Sequence, residues 1–179
     1  MERLRLSPLS YLVLGVVAER ESCTPYEMKR DIGRSIGPLW PHPHAQLYAE
    51  PARLARAGLL AVTVESGGRR RHRYRLTDQG RARLDAWLDD DAVADPELRD
   101  TALLKLMFLS PNTQGAERVR RLAVARAHEH RRRGAWFEQW CEAAAGEAPP
   151  GTAELHRLAG ELERTAAAFW SALADRSGY

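Results

Sequence analysis

Residues 58–80, GLLAVTVESGGRRRHRYRLTDQG, decide the fold. Residues 59–65 alternate and are rich in β-branched side chains, the pattern of a strand. Ser66-Gly67-Gly68 is turn chemistry, and residues 71–76 read as the returning strand of a hairpin. The tip and return strand hold Arg69, Arg70, Arg71, His72, Arg73 and Arg75, so this hairpin is strongly basic. Gly58, just before it, is the glycine that stops a helix. Thr77, just after it, caps a further helix over residues 78–88, in which Leu84, Trp87 and Leu88 are apolar.

Toward the amino end, residues 44–57 read as the helix that Gly58 ends, with Leu47 and Leu54 as its inward side chains and Tyr48 open between the inward and outward sides. Residues 37–44 hold three prolines and cannot be helical throughout. Thr24-Pro25 is a capping hydroxyl followed by proline at the first helical position, and it opens a short helix over residues 26–32. There Tyr26, Met28 and Ile32 are expected to be partly buried and Lys29 and Arg30 outward. Ser7-Pro8 repeats the same start, and Leu9, Leu12, Val13, Val16 and Val17 form one apolar stripe on a helix ending near Ala18. The stripe also explains the apolar run 11–18, which after Arg3 and Arg5 faintly imitates a signal peptide. Three helices, a basic hairpin and another helix make a winged helix-turn-helix over residues 1–90.

Toward the carboxyl end, the acidic connection 89–95 marks the domain boundary. Asp95-Pro96-Glu97 is expected to start a helix whose apolar residues 98–109 lie buried between layers. Ser110-Pro111 breaks it, and residues 112–145 form a long proline-free helical stretch. A turn with Pro149-Pro150 follows. In the last helix, 152–175, Leu155, Leu162 and Phe169 recur seven apart with Leu158 and Leu173 beside them, a coiled-coil-like seam. The expected fold is therefore mainly α with a small β-hairpin, the winged domain being followed by an all-α dimerisation and effector domain over residues 91–179.

Composition narrows the function. Hydrophobic residues make up 44% and charged residues 28% of the 179, the balance of a soluble globular chain rather than a disordered one. No apolar run reaches the 18 or so residues of a membrane span. Cys23 and Cys141 fit no CxxC pattern, so neither a disulfide framework nor a zinc site is expected, and a reducing cytoplasm is the expected compartment. Residues 1–90 carry 15 Lys and Arg against 11 Asp and Glu, whereas residues 91–179 carry 12 against 13. One half suits a polyanion and the other does not. There is no GxSxG elbow, phosphate-cradling glycine loop or HExxH pair, so neither an enzyme nor a cofactor is expected.

In a winged helix-turn-helix the third helix enters the major groove and the wing lies along the backbone or minor groove. His44, Gln46, Tyr48 and Arg53 are therefore the candidate base-facing side chains, with Lys29 and Arg30 beside them on the second helix. Gln46 can pair two-pronged with adenine and an arginine with guanine. Arg69, Arg70, Arg71 and Arg73 suit phosphates, which supply affinity and salt dependence but little sequence information. The expected partners are a double-stranded DNA operator, a second copy of the chain and a small aromatic effector. The competing class is a winged-helix interaction module whose basic wing meets an acidic protein surface. A third is a small-molecule sensor without DNA binding.

In Leu9-Ser-Tyr-Leu-Val-Leu-Gly15, Thr24-Pro-Tyr-Glu-Met-Lys29, Gln46-Leu-Tyr48, Arg53-Leu54, Gly58-Leu-Leu60 and Arg71-His-Arg-Tyr-Arg-Leu-Thr-Asp-Gln-Gly80, in this order and spacing, the sequence resembles the PadR transcriptional regulators. The second half is similar to the helical carboxyl-terminal domain of the longer members through Leu103-Leu-Lys-Leu-Met-Phe108 and Phe169-Trp170. The resemblance implies a homodimeric, usually repressing regulator, some members of which release DNA on binding a phenolic acid or drug. Two positions depart from the family pattern. Pro25 stands where a glycine is common, which is harmless at the first helical position. Pro51 falls inside the proposed recognition helix, removes the amide that would bond the Leu47 carbonyl and is expected to kink or widen the helix. Whether Arg53 and Arg56 face the groove stays open.

Trp136, Phe137 and Trp140 on the long helix, with Phe169 and Trp170 on the last, could line a pocket for a planar effector, with Trp136, Trp140, Phe169 and Trp170 as the candidate residues; core or dimer interface is the competing reading. His128 and His130 stand about 200° apart on a helix and cannot readily share a metal, so no metal site is expected. The arginines of residues 126–133 read as a solvated helix face or as partners for acids across a dimer.

Overall fold

The computed structural model describes residues 5–65, 71–92, 95–109, 113–143 and 151–176. They form two compact units, Met1–Val93 and Ala94–Tyr179. The architecture is mostly helical with one two-stranded antiparallel sheet.

Local chemistry sets the elements of the first unit. Helices α1 (Pro8–Arg20) and α2 (Pro25–Arg34) each start with proline behind a reciprocal cap. The Ser10 amide donates to Ser7 Oγ (3.3 Å) and the Ser7 amide to Ser10 Oγ (2.8 Å). Thr24 and Glu27 repeat the exchange, with the Thr24 amide donating to Glu27 Oε2 at 2.8 Å. Helix α3 (His44–Arg56) runs on through Pro51, whose ring is buried. Gly58 follows at φ +76°, the left-handed conformation that glycine adopts without strain. Strands β1 (Leu60–Val64) and β2 (His72–Leu76) pair from Leu60↔Leu76 to Val64↔His72. The turn expected at Ser66-Gly67-Gly68 lies outside the described residues.

Helix α4 (Asp78–Leu88) is joined to the end of α3 through Thr77. Its hydroxyl donates to the Gly58 carbonyl (2.7 Å) and accepts from the Gly80 amide (3.0 Å). Gly80 passes so close to β1 that a Cβ there would collide with the Leu59 carbonyl oxygen. The core is made of Val13, Leu14 and Val17 from α1, Met28 and Ile32 from α2, Leu47 and Leu54 from α3, with Leu60, Tyr74 and Leu84 from the wing and α4. Burying each of the larger side chains contributes about 1.5–3 kcal/mol. Cys23, also buried, extends the hairpin edgewise, since its amide donates to the Tyr74 carbonyl (3.0 Å) and the Tyr74 amide to its own (2.9 Å).

The second unit holds α5 (Thr101–Phe108), α6 (Thr113–Ala143) and α7 (Thr152–Asp175). Helix α6, 31 residues long, spans about 46 Å. Its core is built largely from small residues: Ala102, Ala123, Ala127, Ala159 and Ala167, with Val119, Phe137, Trp170 and Leu173 among them. The break expected at Ser110-Pro111 and the turn at Pro149-Pro150 lie outside the described residues.

Two expectations for α5 are corrected. It begins at Thr101, not beside Asp95, because Asp100 is the cap: its Oδ1 accepts from the Ala102 amide at 2.8 Å while its Oδ2 holds Arg126 Nη2 at 2.6 Å. The segment is not buried between layers either. Ala102 alone in α5 is fully buried, while Leu98, Met107 and Phe108 are 83, 76 and 77% exposed, since no second layer covers them among the described residues.

Candidate nucleic-acid interface

Helix α3 has two contrasting sides, as a turn of about 100° per residue requires. Leu47, Glu50, Pro51 and Leu54 are buried. Opposite them, Ala45, Ala49, Ala52 and Arg56 occupy the middle of the solvent face, with Tyr48 and His44 on one flank and Gln46 on the other, all exposed. The expected residues His44, Gln46 and Tyr48 thus stand outward. Sequence reasoning missed the alanine centre, although the three alanines recur at the spacing of one helix face. Small side chains there let the helix backbone come close to whatever it docks on.

Arg53 is turned elsewhere. Its Nη2 donates to Glu50 Oε1 (2.6 Å) and to Ser10 Oγ of α1 (2.9 Å), and its Nε to Glu50 Oε2 (2.8 Å). Burial pushes the Glu50 carboxyl up, but the hydrogen bonds from Arg53 and Ser10 together outweigh it and hold the group below the usual carboxylate range. The pair ties α3 to α1 from the buried side. Arg56 keeps its guanidinium on the open face, with Nε directed at the Ala52 carbonyl (3.4 Å).

On α2, Lys29 is half-buried and Arg30 exposed, the latter 3.4 Å from Asp31, which Arg20 also engages. Tyr26 was expected to be partly buried; it is 69% exposed in the first turn of α2. With Pro25 as the first residue of the helix, Tyr26 precedes the buried Met28 and Ile32 by spacings that leave it off their stripe.

In the wing, Arg71, His72 and Arg75 are exposed, whereas Arg73 is half-buried among Ser22, Glu27 and Glu65. Arg69 and Arg70 lie outside the described residues. The exposed set of the unit therefore combines an outward helix face with a cationic strand edge, the arrangement that pairs base contacts with phosphate contacts.

The four aromatic residues expected around an effector divide into two groups. Trp136 and Trp140 stack obliquely at 5.7 Å with Phe137 beside them, and all three rings surround the buried His156 at 5.8–6.3 Å. Phe169 and Trp170 meet edge-on at 5.3 Å, but Trp170 belongs to the helical core with Val119 and Leu173 while Phe169 is exposed. A cleft of about 340 Å³ opens between α6 and α7 over Gly134, Ala135, Ala167 and Ala168, and a groove of about 630 Å³ lies along α5 and α6 over Leu104, Phe108 and Leu122. None of the four expected aromatics lines either.

Several arginines of α6 find acids within their own chain. Arg126 holds Asp100, Arg133 Nε lies 2.7 Å from Glu163 Oε1, and His130 Nδ1 lies 2.5 Å from Glu163 Oε2. Arg126 Nη2 is also 3.0 Å from His130 Nε2, so an arginine donating there leaves the ring proton on Nδ1, facing Glu163. Among the described residues no three metal-ligating side chains come together, and no helix is long and apolar enough to cross a membrane.

Comparison with known proteins supplies the context. The model of the transcriptional regulator PadR-like family matches residues 13–86. The negative transcriptional regulator PadR of Bacillus subtilis (strain 168) is 27% identical over 104 residues, 57% of this chain and 57% of that protein, so the match spans little more than half of the relative's length. Among solved structures, Bacillus subtilis PadR in complex with operator DNA superposes with a TM-score of 0.81 at 20% identity, covering 96% of this chain and 98% of that one. The same protein in complex with p-coumaric acid gives 0.73 at 19% identity, covering 95% and 97%. At these identities the likeness to solved structures establishes the fold.

Proposed function

We propose, from the match of residues 13–86 to the PadR-like family of transcriptional regulators, that the chain is a homodimeric repressor that reads a palindromic operator and is released by a small aromatic acid. The observation that carries this reading is the solvent face of α3, where an alanine centre lies between Gln46 on one edge and Tyr48 on the other. A helix with that face fits closely into a major groove, where alanine meets thymine methyl groups and Gln46 can pair with adenine. His44 and Arg56 add polar contacts on the same face. Arg71 and Arg75 of the wing, with Arg69 and Arg70, serve phosphates, releasing counterions as they bind.

In this reading residues 1–90 read DNA and residues 91–179 pair the two copies, so that two reading heads meet half-sites about 34 Å apart, one turn of the duplex. The exposed Leu158, Leu162 and Phe169 on α7 and Met107 and Phe108 on α5 support the pairing role, because a lone helical unit gains nothing by leaving them in water. The effector assignment draws on the p-coumaric acid complex of the Bacillus subtilis protein. An aromatic acid bound in the helical half would favour a spacing of the reading heads that no longer matches the operator. The site of action is the cytoplasm, and no catalysis is assigned.

The test is binding of fluorescent fragments from the chain's own upstream region, measured by anisotropy across salt concentration, with footprinting of the fragment that binds. One fragment is expected to bind on the order of 10³-fold tighter than its scrambled counterpart. Its affinity should fall linearly with the logarithm of salt, and p-coumaric acid should weaken it. Equal binding to scrambled DNA overturns the specific-regulator reading. A second reading, a winged-helix module that docks on protein, is favoured by Val62 and Val64, which stand exposed on one side of β1. It predicts no binding to any fragment.

A further inference from the structure

Arg73 is the second residue of β2, with Arg71 just before the strand and Arg75 within it, each two residues away and hence on the same face. Those two are exposed; Arg73 is not free in the same way. Its Nη2 donates to the Ser22 carbonyl (3.2 Å) and its Nε to Ser22 Oγ (3.4 Å). Its Nη1 lies 3.4 Å from Glu65 Oε1 and 3.5 Å from Glu27 Oε2. These partners come from three places: the connection after α1, the first turn of α2 and the end of β1. The guanidinium fork is thus spent inward on the junction where the wing meets the helix-turn-helix. A planar fork can serve several partners at fixed angles, which a lysine ammonium does not reproduce.

Around it, the backbone makes the same junction. Cys23 and Tyr74 exchange both of their backbone hydrogen bonds, so residues 22–24 lie against β2 as a short third edge. Glu27 belongs to both parts, because the Oε2 atom that faces Arg73 also accepts from the Thr24 amide and the Thr24 hydroxyl (3.1 Å). The hydrogen bond from the Thr24 amide, against a smaller opposing effect of burial and with help from the Thr24 hydroxyl, Arg73 and Arg20, keeps Glu27 below the usual carboxylate range. The helix cap and the wing anchor are therefore one connected set of charged groups.

We infer that Arg73 is a positioning residue for DNA binding, not a phosphate contact: with Glu27 it fixes the wing strand against the start of α2, and Arg71 and Arg75 reach the backbone only because that junction holds. This rests on the DNA-binding reading above and specifies how the wing works within it. The two roles give opposite signs at Glu27. Removing a carboxylate near a polyanion strengthens binding if charge alone matters, whereas loosening the anchor weakens it. Gln also preserves the capping exchange with Thr24.

The experiment compares Arg73→Gln, Glu27→Gln and Arg71→Gln in the full-length protein, reading operator affinity across salt and native-state amide hydrogen exchange. Arg73→Gln is expected to weaken binding about tenfold with the salt slope unchanged, and Glu27→Gln to weaken it in the same direction. Arg71→Gln should lower the slope by about one, as loss of one phosphate contact does. Without DNA, the Cys23 and Tyr74 amides should exchange about tenfold faster in the Arg73 and Glu27 variants while amides of Leu14 and Leu54 keep their protection. The inference is overturned if Arg73→Gln lowers the slope by about one, if Glu27→Gln tightens binding, or if the Cys23 and Tyr74 amides are unmoved. Wild-type protein that binds no DNA, with faster junction exchange in the variants, overturns the DNA-binding reading while leaving the anchor itself intact.

Discussion

The two units solve the packing problem in opposite ways. The first buries large side chains, among them Leu14, Met28, Ile32, Leu47, Leu54 and Tyr74, around a junction of four helices and a hairpin. The second buries Ala102, Ala123, Ala127, Ala159 and Ala167 between its helices, supports them with ion pairs to Asp100 and Glu163, and turns Leu104, Met107, Phe108, Leu158, Leu162 and Phe169 outward. Small contact residues bring helices close together but remove little apolar area from water. The difference teaches that the first unit rests on large interlocking side chains, while the second packs largely on small ones and leaves apolar residues of α5 and α7 outward, the surface that the proposed pairing would use.

The comparison breaks first if the outward residues of the second unit are idle. Leu162→Asp combined with Phe108→Asp should convert a dimer to monomers by sedimentation equilibrium and weaken operator binding on the order of 100-fold, since two linked heads bind far better than one. An unchanged molar mass would sink the pairing role. Next, Glu163→Gln should cost about 3 kcal/mol in urea unfolding, because it leaves Arg133 and His130 without their shared carboxylate in a small-residue core.

Glycines sharpen the contrast further. Gly80→Ala in the first unit forces a methyl into the Leu59 carbonyl and should lower stability by about 2–3 kcal/mol. Gly134→Ala in α6 meets only the Glu163 Cβ at 3.6 Å, an ordinary contact, so the better helix former should raise stability by about 0.5–1 kcal/mol. The first unit also carries an acid effect. Glu50 is held below its usual pKa in the folded state, so its contribution is complete above the unfolded value and is lost as pH falls through the lowered folded one. The loss of stability between pH 7 and the acid end of that window should be smaller in Glu50→Gln than in the wild type. An identical pH profile would show that the Glu50–Arg53–Ser10 set adds nothing.

What could be read from the sequence was local chemistry. Ser7-Pro8, Thr24-Pro25 and Thr77 start their helices where hydroxyl and proline say they should, because those caps are satisfied within three residues. The alternating residues 59–65 and 71–76 likewise announced the two strands. Asp95 read as the cap of α5, but Asp100 takes that place, held by Arg126, 26 residues further on. Arg73 read as a phosphate contact and the direction of Arg53 stayed open until Ser22 and Ser10, from 51 and 43 residues away, entered their surroundings. Pro51 suggested a kink or a widening in α3; the helix spans His44–Arg56 across it, with the proline on the buried side. Distant partners decide such cases, and a pattern of neighbours carries no trace of them.

Cys23 gives the wing junction a clock. Burial, with Glu27 and Asp31 adding to it, pushes its thiol up to about 11, and the side chain is inaccessible between α1, α2 and β2. A thiol-specific reagent can therefore reach it only while the Cys23–Tyr74 contact is apart. In a Cys141→Ser background, the labelling rate of Cys23 counts those openings directly, and its slowing on addition of operator DNA would time how often the wing lets go when there is something to hold.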